Sequence, residues 1–231
     1  SNTEKKTLMY ERSVKRQTIE SLIEAGVDVN IQDHRGRTAF FLCCCDGSEE
    51  ALEIAKILRK AGADMELVDY TGATPIVAAA KSKQTTVLKW LVGVIENPDV
   101  NMLLIEASAH LSVQAVRFLC TRCTDVNYRN ARGATALIEA FDGDHTNMEG
   151  FSAVIELLIK KSFDMKAQDN ELQTLLHKAA KWKAQGSKEG VKAMNFILGR
   201  MKPKMTMIQD ICGNTALHIA LQNCMWSNAK S

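Results

Sequence analysis

The sequence predicts an all-α fold, a solenoid of helix-turn-helix units with short β-hairpin tips, in which one unit lacks its hairpin. Three observations carry this. First, one phrase recurs. T-L-L-H-x-A-A, at Thr174–Ala180, returns as Thr38-Ala-Phe-Phe-x-Cys-Cys, Thr74-Pro-Ile-Val-x-Ala-Ala, Thr135-Ala-Leu-Ile-x-Ala-Phe and Thr215-Ala-Leu-His-x-Ala-Leu. Second, a turn signal precedes most copies: Gly36, Gly72, Gly133 and Gly213 each follow an Asp or Asn by three residues. Third, apolar residues at helical spacing follow, as in Ile54-Ala-Lys-Ile-Leu. Repeated phrases imply repeated structure that grows by stacking and needs no single large core.

The marker threonines lie 36, 61, 39 and 41 residues apart. All but one of these spacings sit a little above a base unit of roughly 33. A second phrase closes the units: Ala-Gly-Val-Asp-Val-Asn at 25–30, Ala-Gly-Ala-Asp-Met-Glu at 61–66, Asn-Pro-Asp-Val-Asn at 97–101, Asp-Val-Asn at 125–127 and Phe-Asp-Met-Lys at 163–166. A tight tip needs positive φ, which glycine takes without a Cβ penalty. The threonine two residues later can cap the first helix through its hydroxyl. Small pairs such as Ala79-Ala80 and Ala179-Ala180 let helices approach closely. Gly26 and Gly62 end the second helix in a left-handed turn.

These phrases resemble the ankyrin repeat, D-x-x-G-x-T-P-L-H-x-A-A followed by an apolar helix and a G-A-D-x-N close. The resemblance covers nearly the whole chain. It implies a single repeat domain over residues 1–231 that serves as a non-catalytic scaffold for another protein or peptide.

Taken in order, residues 3–30 read as a degenerate first repeat. Thr3–Val14 would be its polar outer helix, and Ile19, Leu22 and Ile23 mark its second. The second repeat starts at Asp33, and Asp46-Gly-Ser-Glu-Glu lengthens the join between its helices by about three residues over the base unit. The third starts at Asp69 and carries Thr74-Pro75. Asn97 stands where its closing glycine belongs. The fourth unit explains the spacing of 61. It has helices at Leu104–His110 and Val113–Thr121 but no D-x-x-G-x-T before them, and Cys123 occupies its glycine position. The fifth runs from Asn130 with an enlarged loop at Asp142–Gly150. The sixth, from Asp169, has Leu172 for glycine and a long segment at Lys183–Gly190. The last starts at Asp210 and stops after one helix, so a longer parent or a tail around Trp226 is expected to cover it. The missing hairpin predicts two sub-arrays, 1–97 and 102–231, moving as units.

Composition narrows the function. A net charge of +2, from 29 basic and 27 acidic residues, disfavours nucleic acid or anionic membrane as the general partner. No apolar run of about 18 residues predicts a membrane span. Seven cysteines without framework spacing fit a reducing compartment, hence an intracellular, cytoplasmic or nuclear, protein. As a domain it is expected to be monomeric.

His177 and His218 sit at the motif histidine, where the resemblance implies a bond to Thr174 or Thr215 and to the neighbouring repeat. A structural partner outweighs a metal there. Cys120 and Cys123 form one C-x-x-C, and a four-ligand site needs a second. Cys43-Cys44-Cys45 point about 100° apart on a helix and read as two packed thiols and one partly exposed. No nucleophile elbow, Walker or dinucleotide motif is present. Catalytic residues, metal and cofactor are therefore expected to be none. The partner-binding candidates are Lys178, Lys181 and Trp182, a basic stretch suited to an acidic or aromatic-bearing peptide, with the tip residues Arg35, Tyr70 and Arg132. For Trp182, packing onto the following loop is an equal alternative. Two further functions stay open: a regulatory region of a larger enzyme or channel acting in cis, and binding of an anionic nucleotide at Lys178–Lys183.

Overall fold

A computed structural model describes residues 15–142, 148–161, 163–183, 195, 197–201 and 203–228. The helices expected over Thr3–Val14, the body of the loop after Asp142, the long segment after Lys183 and the side chains of Trp182 and Trp226 lie outside the described residues. The chain divides into two compact units, Ser1–Pro98 and Asp99–Ser231.

In the first unit, α1 covers residues 15–24, α2 Ala39–Asp46, α3 Glu49–Lys60, α4 Pro75–Lys81 and α5 Thr86–Val94. Thr38 caps α2 by accepting from the Phe41 amide, as its position predicts. Thr74 makes no such bond, and Pro75 supplies the fixed φ of a first helical residue instead. The Asp46-Gly-Ser insertion is a stop and a start. Gly47, at φ 68°, closes α2 by donating to the Cys43 carbonyl, and Ser48 caps α3 through the Ala51 amide. Gly26 and Gly62 take φ of 82° and 91°, as a left-handed close requires. The core between these helices is built from Phe40, Ala55, Leu58, Ala79, Leu88 and Leu91.

In the second unit, α6 covers Val100–Ala109, α7 Val113–Leu119, α8 Ala136–Asp142, α9 Met148–Lys160, α10 Leu175–Lys183 and α11 Ala216–Asn228, with a 3-10 turn at Pro203–Met207. First helices stack on first helices: α6 on α8, α8 on α10, α10 on α11. Second helices do likewise, α7 on α9. Leu104, Val116, Leu119, Leu137, Ile155, Leu158 and Leu176 fill the space between. Phe141 and Phe151 meet edge to face at 4.8 Å between ring centres.

The fourth repeat shows how a hairpin is dispensed with. The third repeat's close is reused as the next helix start. Asp99 caps α6 through the Met102 amide, and Asn101 reaches the Thr124 and Asp125 amides at 3.1 and 3.2 Å. Asn97 takes φ 50° ahead of it, in place of glycine. Cys123 does not take positive φ. Its amide bonds instead to the Leu119 carbonyl at 2.8 Å, so the turn differs from the glycine close and carries no left-handed strain.

Candidate hairpin-tip and first-helix interface

Each hairpin tip is organised by one side chain. Asp33 Oδ1 accepts from the amides of Arg35 and Arg37. Asp69 does the same for Thr71 and Ala73, and Asn130 for Arg132 and Ala134. Asp169 serves Glu171 and Gln173, and Asp210 serves Cys212 and Asn214. The residue three places on then donates its amide back, as Gly36 does to Asp33 at 2.9 Å. These Asx turns, rather than a strand ladder, make the hairpins. One isolated antiparallel bridge, Gln168 to Thr174, is present among the described residues.

Neighbouring tips are joined through the backbone. Tyr70 donates its amide to the Arg35 carbonyl at 3.0 Å, Asn170 to Arg132 at 2.9 Å, and Ile211 to Glu171 at 2.9 Å. Glycine is needed for closeness as well as for φ. A Cβ on Gly36 would lie 2.6 Å from the Tyr70 ring and 2.8 Å from its backbone nitrogen.

In the first unit this joint brings two candidate residues together. Arg35 and Tyr70 stand at the mouth of a cleft of about 540 Å³ whose lining includes Arg37, Phe41, Asp69, Ala78 and Lys81. Phe41 and Ala78 are buried, whereas Tyr70 is 76% exposed. Arg37 is committed to its own tip: its guanidinium holds Asp33 Oδ2 at 2.8 and 3.0 Å. That guanidinium keeps the Asp33 carboxyl well below the usual carboxylate range. For Asp69, burial pushes upward, but hydrogen bonds from Thr71 and the Ala73 backbone outweigh it and the carboxyl is lowered.

The second unit places its candidates differently. Arg132 is exposed, but its guanidinium grips both oxygens of buried Glu139 at 2.7 Å, and Asn130 donates to the same carboxylate. Lys178 does not belong to an exposed basic stretch. It is buried, and its ammonium bridges Asp142 Oδ2 at 2.7 Å and Asp169 Oδ2 at 2.9 Å. Burial opposes its charge, yet these two hydrogen-bonded carboxylates raise its pKa. Lys181 is exposed and donates to Gln173 Oε1 at 3.0 Å. Trp182 lies on α10, with its side chain outside the described residues. The sequence reading missed Glu139 and Lys178 as partners of the tips. The signal was available. Both stand four residues after the marker threonine, where other repeats carry Leu42, Ala78 and Ile219.

His177 accepts from the Thr174 amide through Nδ1, at 3.0 Å, with the Thr174 hydroxyl 2.7 Å away. Its Nε2 then donates to the Asn214 carbonyl of the next repeat at 3.0 Å. His218 repeats the first half of this pattern with Thr215. Cys44 is buried, Cys43 half-buried and Cys45 exposed. Burial pushes the Cys43 thiol up to about 12 and the Cys120 thiol up to about 11, which keeps both protonated. Among the described residues, no three His, Cys, Asp or Glu side chains converge on a point where a metal could sit, and no helix is long and apolar enough to cross a membrane.

Asx-turned tips, a histidine bridging successive repeats and stacked helix pairs define a repeat type, and the model of ankyrin repeats (3 copies) matches residues 9–103 and 102–195. The chain belongs to the ankyrin repeat family. Human ankyrin repeat domain-containing protein 63 is 38% identical over 71 residues, 31% of this chain and 18% of that protein. Ankyrin repeat and KH domain-containing protein mask-1 of Caenorhabditis elegans is 25% identical over 118 residues, 51% of this chain and 4% of that protein. The chain thus spans less than a fifth of these curated relatives. Among solved structures, the human ASB11 ankyrin repeat domain superposes with a TM-score of 0.67 at 18% identity, covering 93% of this chain and 94% of that one. The Bcl-3 ankyrin repeat domain gives 0.62 at 16% identity, covering 95% and 94%. At such identities the likeness is one of fold. Ankyrin repeats are commonly protein-interaction modules and typically non-catalytic.

Proposed function

We propose that this ankyrin array is a non-catalytic scaffold or adaptor that binds a partner protein or peptide through its hairpin tips and first helices. One observation carries the reading. Tyr70 and Arg35, on adjacent tips locked by a backbone hydrogen bond, stand exposed at the mouth of a cleft floored by Phe41 and Ala78. A rigid, exposed aromatic next to a long cation over an apolar floor has the composition of an interface anchor. In the second unit Arg132 takes the tip position of Arg35, with its guanidinium already paired to Glu139, Lys181 is exposed on α10, and Lys178 is left out because it is buried between Asp142 and Asp169.

Affinity capture tests this. Wild-type protein is compared with a double charge reversal, Arg35→Glu and Lys181→Glu, which leaves the Arg132–Glu139 pair intact, and with a control on the second helix, Lys60→Glu. The reading expects the double variant to lose the captured partner and the control to keep it. Equal capture by all three would place the interface elsewhere.

A second reading is a regulatory region acting in cis on a larger enzyme or channel. The small share of each relative's length that this chain matches favours it. In that case the partner of the tips is another domain of the same polypeptide, and adding the ankyrin region in trans to the remainder would restore the regulated state.

A further inference from the structure

The cleft of the first unit has a charge bias that the tip reading alone does not use. Its lining holds three basic side chains, Arg35, Arg37 and Lys81, against one acid, Asp69. Arg37, Asp69 and Lys81 each already interact within the fold. Arg37 is pinned by Asp33. Asp69 Oδ1 accepts from the Thr71 amide and hydroxyl and from the Ala73 amide, so its charge is covered by donors of its own hairpin. Arg35 is different. Its backbone is fixed by Asp33 and Tyr70, but among the described residues no carboxylate pairs with its guanidinium. Lys81 ends α4 and also lines the cleft, where its charge reaches Cys45 and Asp69. The lining also holds the buried apolar side chains of Phe41 and Ala78.

Resting on the interaction reading above, we infer that this cleft selects an extended peptide segment of a partner protein in which an aspartate or glutamate adjoins an apolar residue. The carboxylate is received by Arg35, with Lys81 adding to the positive field in the cleft. The apolar neighbour sits on Phe41 and Ala78, and Tyr70 covers the segment. The cleft volume of about 540 Å³ is larger than one side chain fills and lies within the range of ligand clefts. A guanidinium fork matches a carboxylate in two parallel bonds, and partial desolvation by Tyr70 strengthens them. Opposite charges at such a mouth set which sequence is accepted more than how tightly any sequence binds.

The test is an oriented degenerate peptide library, spiked with phosphoserine, passed over the immobilised wild-type protein and over Arg35→Glu. Arg35 lies on an exposed tip and its own hydrogen bonds run through its backbone amide and carbonyl, so the variant keeps its fold, and circular dichroism checks that. Alkylation of Cys45 by iodoacetamide, read by mass spectrometry, reports occupancy of the cleft, and exposed Cys212 in the other unit serves as reference.

The inference expects wild type to retain peptides enriched in Asp or Glu at one position with an apolar neighbour. That enrichment should fall by about tenfold, or invert to Lys and Arg, in Arg35→Glu. Retained peptides should slow Cys45 alkylation and leave Cys212 unchanged. Peptides retained without acidic preference, or with a preference unchanged in Arg35→Glu, would overturn the inference and leave the interaction reading standing. Phosphoserine chosen over Asp and Glu by about tenfold would also overturn it, since the occupant would then be a phosphopeptide. Retention of no peptide at all would count against both.

Discussion

Lys178 shows what a single charge costs and secures here. Its ammonium is buried at the start of the sixth repeat and holds two carboxylates, Asp142 from the preceding repeat and Asp169 from its own tip. Removing it takes the partner from Oδ2 of Asp169, which is itself buried. Lys178→Met is therefore expected to destabilise the protein by about 2–3 kcal/mol in urea unfolding, on the low side for a broken buried pair because Asp142 keeps part of its solvent. Lys181→Ala, three residues on and exposed, should stay within about 0.5 kcal/mol. The pH dependence follows from the direction of the shift. Lys178 has a raised pKa, so its contribution is complete below the unfolded value of about 10.4 and is lost as pH rises through the folded value. Stability of wild type should thus drop more steeply than that of Lys178→Met above that pH. Asp33 has the opposite sign: held low by Arg37, it contributes above its unfolded value of about 3.9 and loses that only in strong acid.

Glycine matters at one tip and is absent from another. Gly36 combines φ 76° with contact against the Tyr70 backbone, and Leu172 holds φ 58° in the equivalent place with a side chain that is about half exposed. Gly36→Ala should destabilise by about 1–3 kcal/mol, and Leu172→Gly should stabilise by up to about 1 kcal/mol. Thermal melts of the two variants moving in the same direction would contradict this account of the tips.

At the scale of the element, the D-x-N close is the adaptable part. Asn30 bonds to the Asp64 amide and the Gly62 carbonyl, and Asn127 to the Asp164 amide, so each close stitches one repeat to the next. In the fourth repeat the same triplet also begins a helix, because Asp99 caps it through the Met102 amide. Asp99→Ala should cost about 1 kcal/mol and Asn101→Ala a similar amount, with faster amide exchange confined to residues 100–125. Exchange that quickens along the entire unit instead would show that the close is not a local device.

The elements were legible because their signals are local. Asp, Gly and Thr at fixed offsets dictate a turn and a cap whatever surrounds them, and Ile54, Ile57 and Leu58 announce a helix face by spacing. The loss of a hairpin at the fourth repeat was legible for the same reason. The site was read less well. Lys178 looked like a surface cation because its two partners lie nine residues before and 36 before it, and nothing local marks them. Arg132 is placed at a tip by its position, but its pairing with Glu139, seven residues away across the turn from tip to helix, has no local mark. Arg35 and Tyr70 were picked singly from tip positions. Their shared cleft depends on the 35-residue offset between adjacent tips and on Lys81, which the sequence reading did not single out.

Over the whole molecule, stability in a stacked array is close to a sum of repeat and neighbour terms. The fourth repeat has no tip and cannot supply the tip-to-tip bond made by Tyr70, Asn170 and Ile211. Together with the division into Ser1–Pro98 and Asp99–Ser231, this leads to an expectation of two urea transitions, one lowered by Gly36→Ala and the other by Lys178→Met. A single transition moved equally by both variants would show one cooperative block.

The scaffold reading itself is most directly tested by amide exchange of the protein with and without its captured partner. Slowed exchange is expected at the tips and first helices, residues 33–46, 69–81 and 130–142, with the second helices, residues 49–60 and 148–160, unchanged. Protection that falls on the second helices and spares Arg35, Tyr70 and Arg132 would contradict it.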